Sequence, residues 1–227
     1  LYENCITKYQ KKKSGKTAII TVDKNKDIIK YNYNDIDKRV NNVANYITQS
    51  SSKKDLKIMI HASASIESAV LMLACAKLGL HFSVIFEELE ALGIENRLKI
   101  FKPNIFFIKV YKKDFLKKIH FKSSIKTKFI YGEELKKILN EKKNNFEIKN
   151  KINNSSKSLF TLFTSGSTGK PKGITHSTGG YLLYAKITCE KQFGINKNSI
   201  VLTASDAGWI NGHTYSLFGP LSHGSTT

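Results

Sequence analysis

Cysteine, proline and tryptophan are scarce in this sequence: three, three and one among 227 residues. Cys5, Cys75 and Cys189 lie far apart, are odd in number and form no Cys-x-x-Cys pair. That excludes a disulfide framework and a zinc ribbon, predicts no metal site, and fits a reducing, cytoplasmic setting. No run approaches the ~20 apolar residues needed to cross a bilayer, and the longest apolar helical pattern, 69–80, is interrupted by Lys77. No signal-peptide pattern follows Leu1, no internal repeat is present, and no long disordered linker separates parts of the chain. Arginine is missing from 109–151, where fourteen lysines stand against five acids.

What is present is an ordinary globular composition, 41% hydrophobic, carrying a net charge of +19. Such an excess would suit nucleic acid, an anionic membrane or a polyanionic small molecule. A zinc finger, an aromatic RNA-binding motif and a basic helix with interleaved aromatics are all missing, so the lysines read as a solvated face and neither nucleic acid nor membrane is expected as a partner.

Apolar periodicity alternates between strand and helix, which predicts an α/β fold. Asn34 is placed to cap a helix whose apolar face is Ile36, Val40, Val43, Ala44 and Ile47. Strands are expected at 57–61, 82–86, 105–110, 128–131, 159–163 and 200–203, with helices at 66–78 (stopped by Gly79), 89–100, 133–142 and 176–192. The continuous apolar run of 105–110 suggests a parallel sheet covered on both faces. The polar stretch 142–158 reads as a surface connection and a candidate join between subdomains. The sequence ends at Thr227 without a stop signal of any kind, and is expected to be a truncated domain over 1–227.

The most informative stretch is Thr164-Ser165-Gly166-Ser167-Thr168-Gly169-Lys170-Pro171-Lys172-Gly173. Its glycines let the backbone approach a ligand closely. Successive N–H groups can form an anion-binding concavity. Thr164, Ser165, Ser167 and Thr168 add hydroxyl donors, Lys170 and Lys172 add positive charge, and Pro171 stiffens the turn between them. A Walker A loop is disfavoured, because Lys170 precedes Pro171 rather than Ser or Thr and the position five before Gly169 is Thr164.

These ten residues resemble the signature phosphate loop of the adenylate-forming superfamily. The segments that follow, His176-Ser177-Thr178-Gly179-Gly180-Tyr181 and Ala204-Ser205-Asp206-Ala207-Gly208-Trp209-Ile210-Asn211-Gly212-His213, look like the next blocks of acetyl- and propionyl-CoA synthetases. Weaker similarity reaches back to Leu1. The resemblance implies the first part of the adenylation domain, with mostly parallel sheets flanked by helices and the C-terminal domain absent.

It also implies a short-chain acyl-CoA synthetase acting on ATP with Mg²⁺, a small carboxylic acid and CoA. Thr164, Ser165, Gly166, Ser167, Thr168, Gly169 and Lys170 would hold the β- and γ-phosphates. Lys172 would supply charge or brace the loop, and His213 would lie near the carboxylate. Trp209, Ile210 and Asn211 would wall the acyl pocket. Two departures stand out. Glu87-Glu88 replace a Gly-Gly pair where CoA passes, with Lys112 and Lys113 as weak substitutes for missing arginines. Asn211 places an amide in the acyl pocket. The alternative reading is a degenerate, non-catalytic nucleotide-binding remnant.

Overall fold

A computed structural model describes residues 1–10, 15–23, 25–53, 55–109, 127–141, 148–151, 154–164 and 170–227. A π-helical turn, Glu3–Thr7, runs into Lys8–Gln10. The hairpin β1 (Thr17–Val22) and β2 (Ile28–Asn32) follows. Then come α1 (Tyr33–Ser50), β3 (Lys57–His61), α2 (Ile66–Leu78), β4 (His81–Ile85), α3 (Ala91–Phe101), β5 (Ile105–Ile108), β6 (Lys128–Tyr131) and α4 (Gly132–Asn140). β7 (Ser158–Thr164), β8 (Lys172–Ser177), α5 (Thr178–Phe193), α6 (Ile210–His213), a π-helical turn at Thr214–Phe218 and α7 (Gly219–Ser222) complete the order.

Six strands form one sheet in the order β6-β5-β3-β4-β7-β8. β3 to β7 are mutually parallel, and β8 returns antiparallel to β7. Strand alternation divides the core between the two faces. Ile58, Ile60, Phe82, Val84, Ile105, Phe107, Phe160 and Leu162 pack with α1, α2, α4 and α5. Met59, Ile85, Phe106, Ile108 and Phe163 pack against Ile94, Leu98 and Phe101 of α3. A sheet buried on both faces needs apolar residues at odd and even positions alike, which is why these strands read as unbroken apolar runs.

Local chemistry sets the helix ends. Asn32, not Asn34, caps α1: its Oδ1 accepts from the Asp35 N–H at 2.9 Å and the Asp35 carboxylate accepts from its N–H at 3.0 Å. An acid three residues after the cap completes a capping box; Asn34 lies inside the helix, and the acid three residues after it, Asp37, is engaged by Tyr2, Asn41 and Lys77 instead. The predicted apolar face of this helix is buried at all five positions. α2 opens on Ser65 and stops where Gly79 turns left-handed at φ 63°.

Three features depart from the sequence expectation. The β1–β2 hairpin was not anticipated. Residues 172–177, expected as the end of a loop and the start of a helix, form β8 instead, so α5 begins at Thr178. The expected strand 200–203 is reduced to one bridge, Ile200 with Thr226.

Candidate functional site

All five parallel strands point their carboxyl ends at one edge of the sheet, the place where open α/β sheets bind ligands. Thr164 ends β7 at that edge and Lys172 begins β8, and the two are directly opposed across the hairpin. Both are exposed, as is Lys170. Neither lysine pairs with a carboxylate among the described residues. The predicted phosphate loop therefore lies between the two arms of a hairpin, with exposed Lys170 and Lys172 where the chain returns. Ser165, Gly166, Ser167, Thr168 and Gly169 lie outside the described residues, as do Lys112 and Lys113.

Trp209, Ile210 and Asn211 are exposed side by side at the start of α6. The indole packs on Phe86 at 5.2 Å between ring centroids. Phe86 follows β4, and β4 neighbours β7 with Phe82 opposite Phe160. Counting four residues up each strand reaches Phe86 and Thr164. Phe86 thus follows β4 beside the end of β7, one strand spacing (~5 Å) from Thr164, and Trp209 packs on Phe86.

His213 lies one helical turn inward of Trp209. It is fully buried between Phe82 and Phe160, with centroids at 5.8 and 4.6 Å. Those rings lie four residues below Phe86 and Thr164, or about 13 Å at the strand rise. Burial drives the His213 imidazole down to about 4, so it is neutral at physiological pH. Its Nδ1 lies 3.1 Å from the Trp209 carbonyl, which requires the proton on Nδ1.

Asp206 organises the turn before Trp209. Its Oδ1 accepts from the Gly208 N–H at 2.7 Å and its carbonyl accepts from the Trp209 N–H at 3.1 Å. Burial raises its carboxyl above the usual range, with the nearby Glu88 adding to the shift.

Sequence reasoning missed a clamp at the ends of β3, β4 and β5. Glu87 Oε2 accepts from the Ser63 N–H at 3.0 Å and from its hydroxyl at 2.6 Å. Lys109 Nζ lies 3.9 Å from the same oxygen and donates to the Ser63 hydroxyl at 3.3 Å. Burial alone would raise the Glu87 carboxyl, but the Ser63 hydrogen bonds and Lys109 outweigh it and hold it below the ordinary range. Of the two glutamates expected to present negative charge, Glu87 is spent internally and Glu88 is exposed. The signal was available: Ser63 and Glu87 each lie just past the end of a predicted strand, and Lys109 lies near the end of a third.

A cavity of about 670 Å³ opens beside this clamp, lined by Glu67, Lys109, Tyr131, Glu133, Glu134 and Lys136 among others. It includes none of the residues predicted to bind phosphate or acid. Among the described residues, no group of three His, Cys, Asp or Glu side chains is arranged to hold a metal, and no helix is long and apolar enough to cross a membrane.

A family model described as AMP-binding enzyme matches residues 6–227. The chain belongs to the AMP-binding enzyme family. Similar members of that family include the acetyl-coenzyme A synthetase of Helicobacter pylori strain HPAG1, 32% identical over 248 residues, and that of Magnetococcus marinus, 30% identical over 246. Each alignment covers 99% of this chain and 38% of the relative, so the chain spans well under half the length of these relatives. The fold matches a crystal structure of a Brucella canis acyl-CoA synthetase at a TM-score of 0.86 and 15% identity, covering 100% of this chain and 42% of that one. The α/β AMP-binding architecture expected from the sequence, with a mostly parallel sheet flanked by helices, is the one observed.

Proposed function

We propose that this protein belongs to the machinery of a short-chain acyl-CoA synthetase, a ligase that activates a small carboxylic acid of the acetate or propionate class. A carboxylate oxygen attacks the α-phosphorus of ATP, the bond to the β-phosphate oxygen breaks, and pyrophosphate leaves with its electron pair. The thiol of CoA then attacks the acyl carbon and AMP departs. The observation that carries this reading is the shared edge: the Thr164–Lys172 hairpin opens at the end of β7, and Phe86, on which Trp209 packs, follows the neighbouring strand β4.

The first step concentrates negative charge on pyrophosphate, and catalysis depends on donors already aimed at it. Lys170, Lys172 and the Thr164 hydroxyl stand at the mouth, and residues 165–169 lie between them. Mg²⁺ would arrive with ATP, held by the phosphates, and would neutralise charge on the departing pyrophosphate. Trp209, Ile210 and Asn211 form the wall facing the acid. A bulky indole shortens the space for an acyl chain, and the Asn211 amide favours an acid bearing a hydroxyl or keto group. His213, buried and neutral, acts through Trp209 rather than on the reacting atoms. The polar stretch 142–158 would connect subdomains of the adenylation domain.

The alternative of a degenerate nucleotide-binding remnant drew support from Glu87 and Glu88 on the path of an anionic CoA. The Glu87–Lys109 pairing removes half of that argument. ATP–pyrophosphate exchange by the complete protein tests the proposal, since this chain alone is not expected to complete either half-reaction: exchange that depends on acetate, propionate or a small hydroxy acid and falls when Lys172 becomes Ala is the expected result. ATP binding without exchange for any of these acids would favour the remnant.

A further inference from the structure

Trp209 is the single tryptophan of the sequence, and its peptide unit is tied on both sides. Its N–H donates to the Asp206 carbonyl at 3.1 Å. Its carbonyl accepts twice from one residue, from the His213 backbone N–H at 3.2 Å and from the His213 ring Nδ1–H at 3.1 Å. The turn is closed so tightly that a Cβ on Gly212 would stand 2.0 Å from the Asp206 carbonyl oxygen. A Cβ on Gly208 would meet the Phe86 ring at 2.5 Å. The backbone under the indole is thus fixed from four directions, while the indole itself remains 59% exposed.

His213 is costly to keep where it is. It fills a slot between two phenylalanine rings, and its Nε2 is buried with no hydrogen-bond partner among the described residues. An unpaired buried acceptor lowers stability, so a side chain needed only for packing would be better apolar. What the imidazole supplies that a phenyl ring does not is the second hydrogen bond to the Trp209 carbonyl.

We infer that His213 is a positioning residue which, together with Asp206, locks the Trp209 turn so that the indole stands as a fixed wall at the sheet edge against the acyl group of the acid. The immobilisation follows from this geometry alone; the use of the wall against an acyl group rests on the acid-activation reading above.

The lone tryptophan makes the test direct, because every change in indole fluorescence belongs to Trp209. His213→Phe fills the aromatic slot and removes the Nδ1–H donor. His213→Asn keeps a donor near the Nδ1 position and removes the ring. With positioning, His213→Phe lowers the steady-state anisotropy of Trp209 and raises its acrylamide quenching by up to about 1.7-fold, the rise from 59% to full exposure, with far-UV circular dichroism unchanged. His213→Asn keeps the wild-type fluorescence and lowers the thermal midpoint. Asp206→Ala, which releases the Gly208 N–H, loosens the indole in the same direction and serves as the second route should His213→Phe misfold. Wild-type anisotropy and quenching in folded His213→Phe, or in Asp206→Ala, overturn the positioning role. Propionate with ATP, titrated into the wild-type chain, reads the other half: a change in Trp209 emission supports the wall, and a rigid indole indifferent to acid sinks the acyl-pocket assignment while leaving the lock intact.

Discussion

Lys77 reaches Asp37 inside the protein, with Nζ 3.4 Å from Oδ1 and the lysine side chain 2% exposed. Asp37 also accepts from the Tyr2 hydroxyl at 2.7 Å and from Asn41 Nδ2 at 2.9 Å, and Nζ sits 4.7 Å from the centre of the Tyr2 ring. This charge cluster pins the N-terminal turn to α1 and α2. Burial, then the neighbouring Asp37, holds the Tyr2 hydroxyl in its protonated, donating form.

Breaking that pair on one side should cost more than removing both charges. Lys77→Met is expected to lower stability by about 3 kcal/mol, because Asp37 is left buried without its cation. Lys77→Met combined with Asp37→Asn should recover much of the loss. Urea denaturation of the three variants reads the difference, and additive losses would contradict it.

The buried imidazoles predict an acid-sensitive fold. His213 and His81 both fall to about 4, each mainly through burial, with Lys57 lowering His81 further. Their folded pKa values lie below the unfolded value of about 6.5, so between pH 6.5 and 4 the unfolded chain binds more protons. Stability is therefore complete above pH 6.5 and declines as pH falls through that window. For the fully buried His213 the contribution is on the order of 3 kcal/mol. Urea midpoints measured across the window should drop, and His213→Phe should flatten the slope.

Glycine substitutions separate two kinds of constraint. Gly212→Ala places a Cβ 2.0 Å from a backbone oxygen that cannot rotate away, and should destabilise by more than about 2 kcal/mol. Gly194→Ala, at φ +63° with open space around it, should cost only about 1 kcal/mol of left-handed backbone strain. Thermal midpoints of the two variants would rank them, and equal losses would contradict the close approach at Gly212.

The Ser63–Glu87–Lys109 clamp should behave as a coupled unit. Glu87→Gln and Ser63→Ala are each expected to cost about 1 kcal/mol, and the double variant less than their sum. A double-mutant cycle by chemical denaturation measures the coupling; strict additivity would show that the contacts contribute nothing jointly.

Much of the central sheet was legible in the sequence because its strands are short apolar runs between clear stops. The bounds of β3, α2 and β6 coincide with those read from periodicity, and Gly79 ends α2 as a left-handed cap. β8 was not legible. Lys172–Ser177 carries lysine, glycine and mostly polar residues with four exposed positions, and only backbone pairing to β7 makes it a strand. The β1–β2 hairpin escaped for a similar reason, since β2 is largely exposed and carries no inward alternation to read.

The sequence by itself determined the chemistry on offer: a hydroxyl- and glycine-rich turn with two lysines, a lone tryptophan beside an asparagine, and no cysteine framework. Those are properties of residue type and local spacing, which need no neighbours to be read. Only the tertiary structure decided which of those groups share an edge. Parallel pairing of β4 with β7 brings Phe86, with Trp209 packed on it, to the edge where Thr164 ends β7, while His213 is sunk between Phe82 and Phe160 of the same two strands. The two histidine placements, at the rim or in the core, have the same local sequence, and the packing of α6 on the sheet chooses between them.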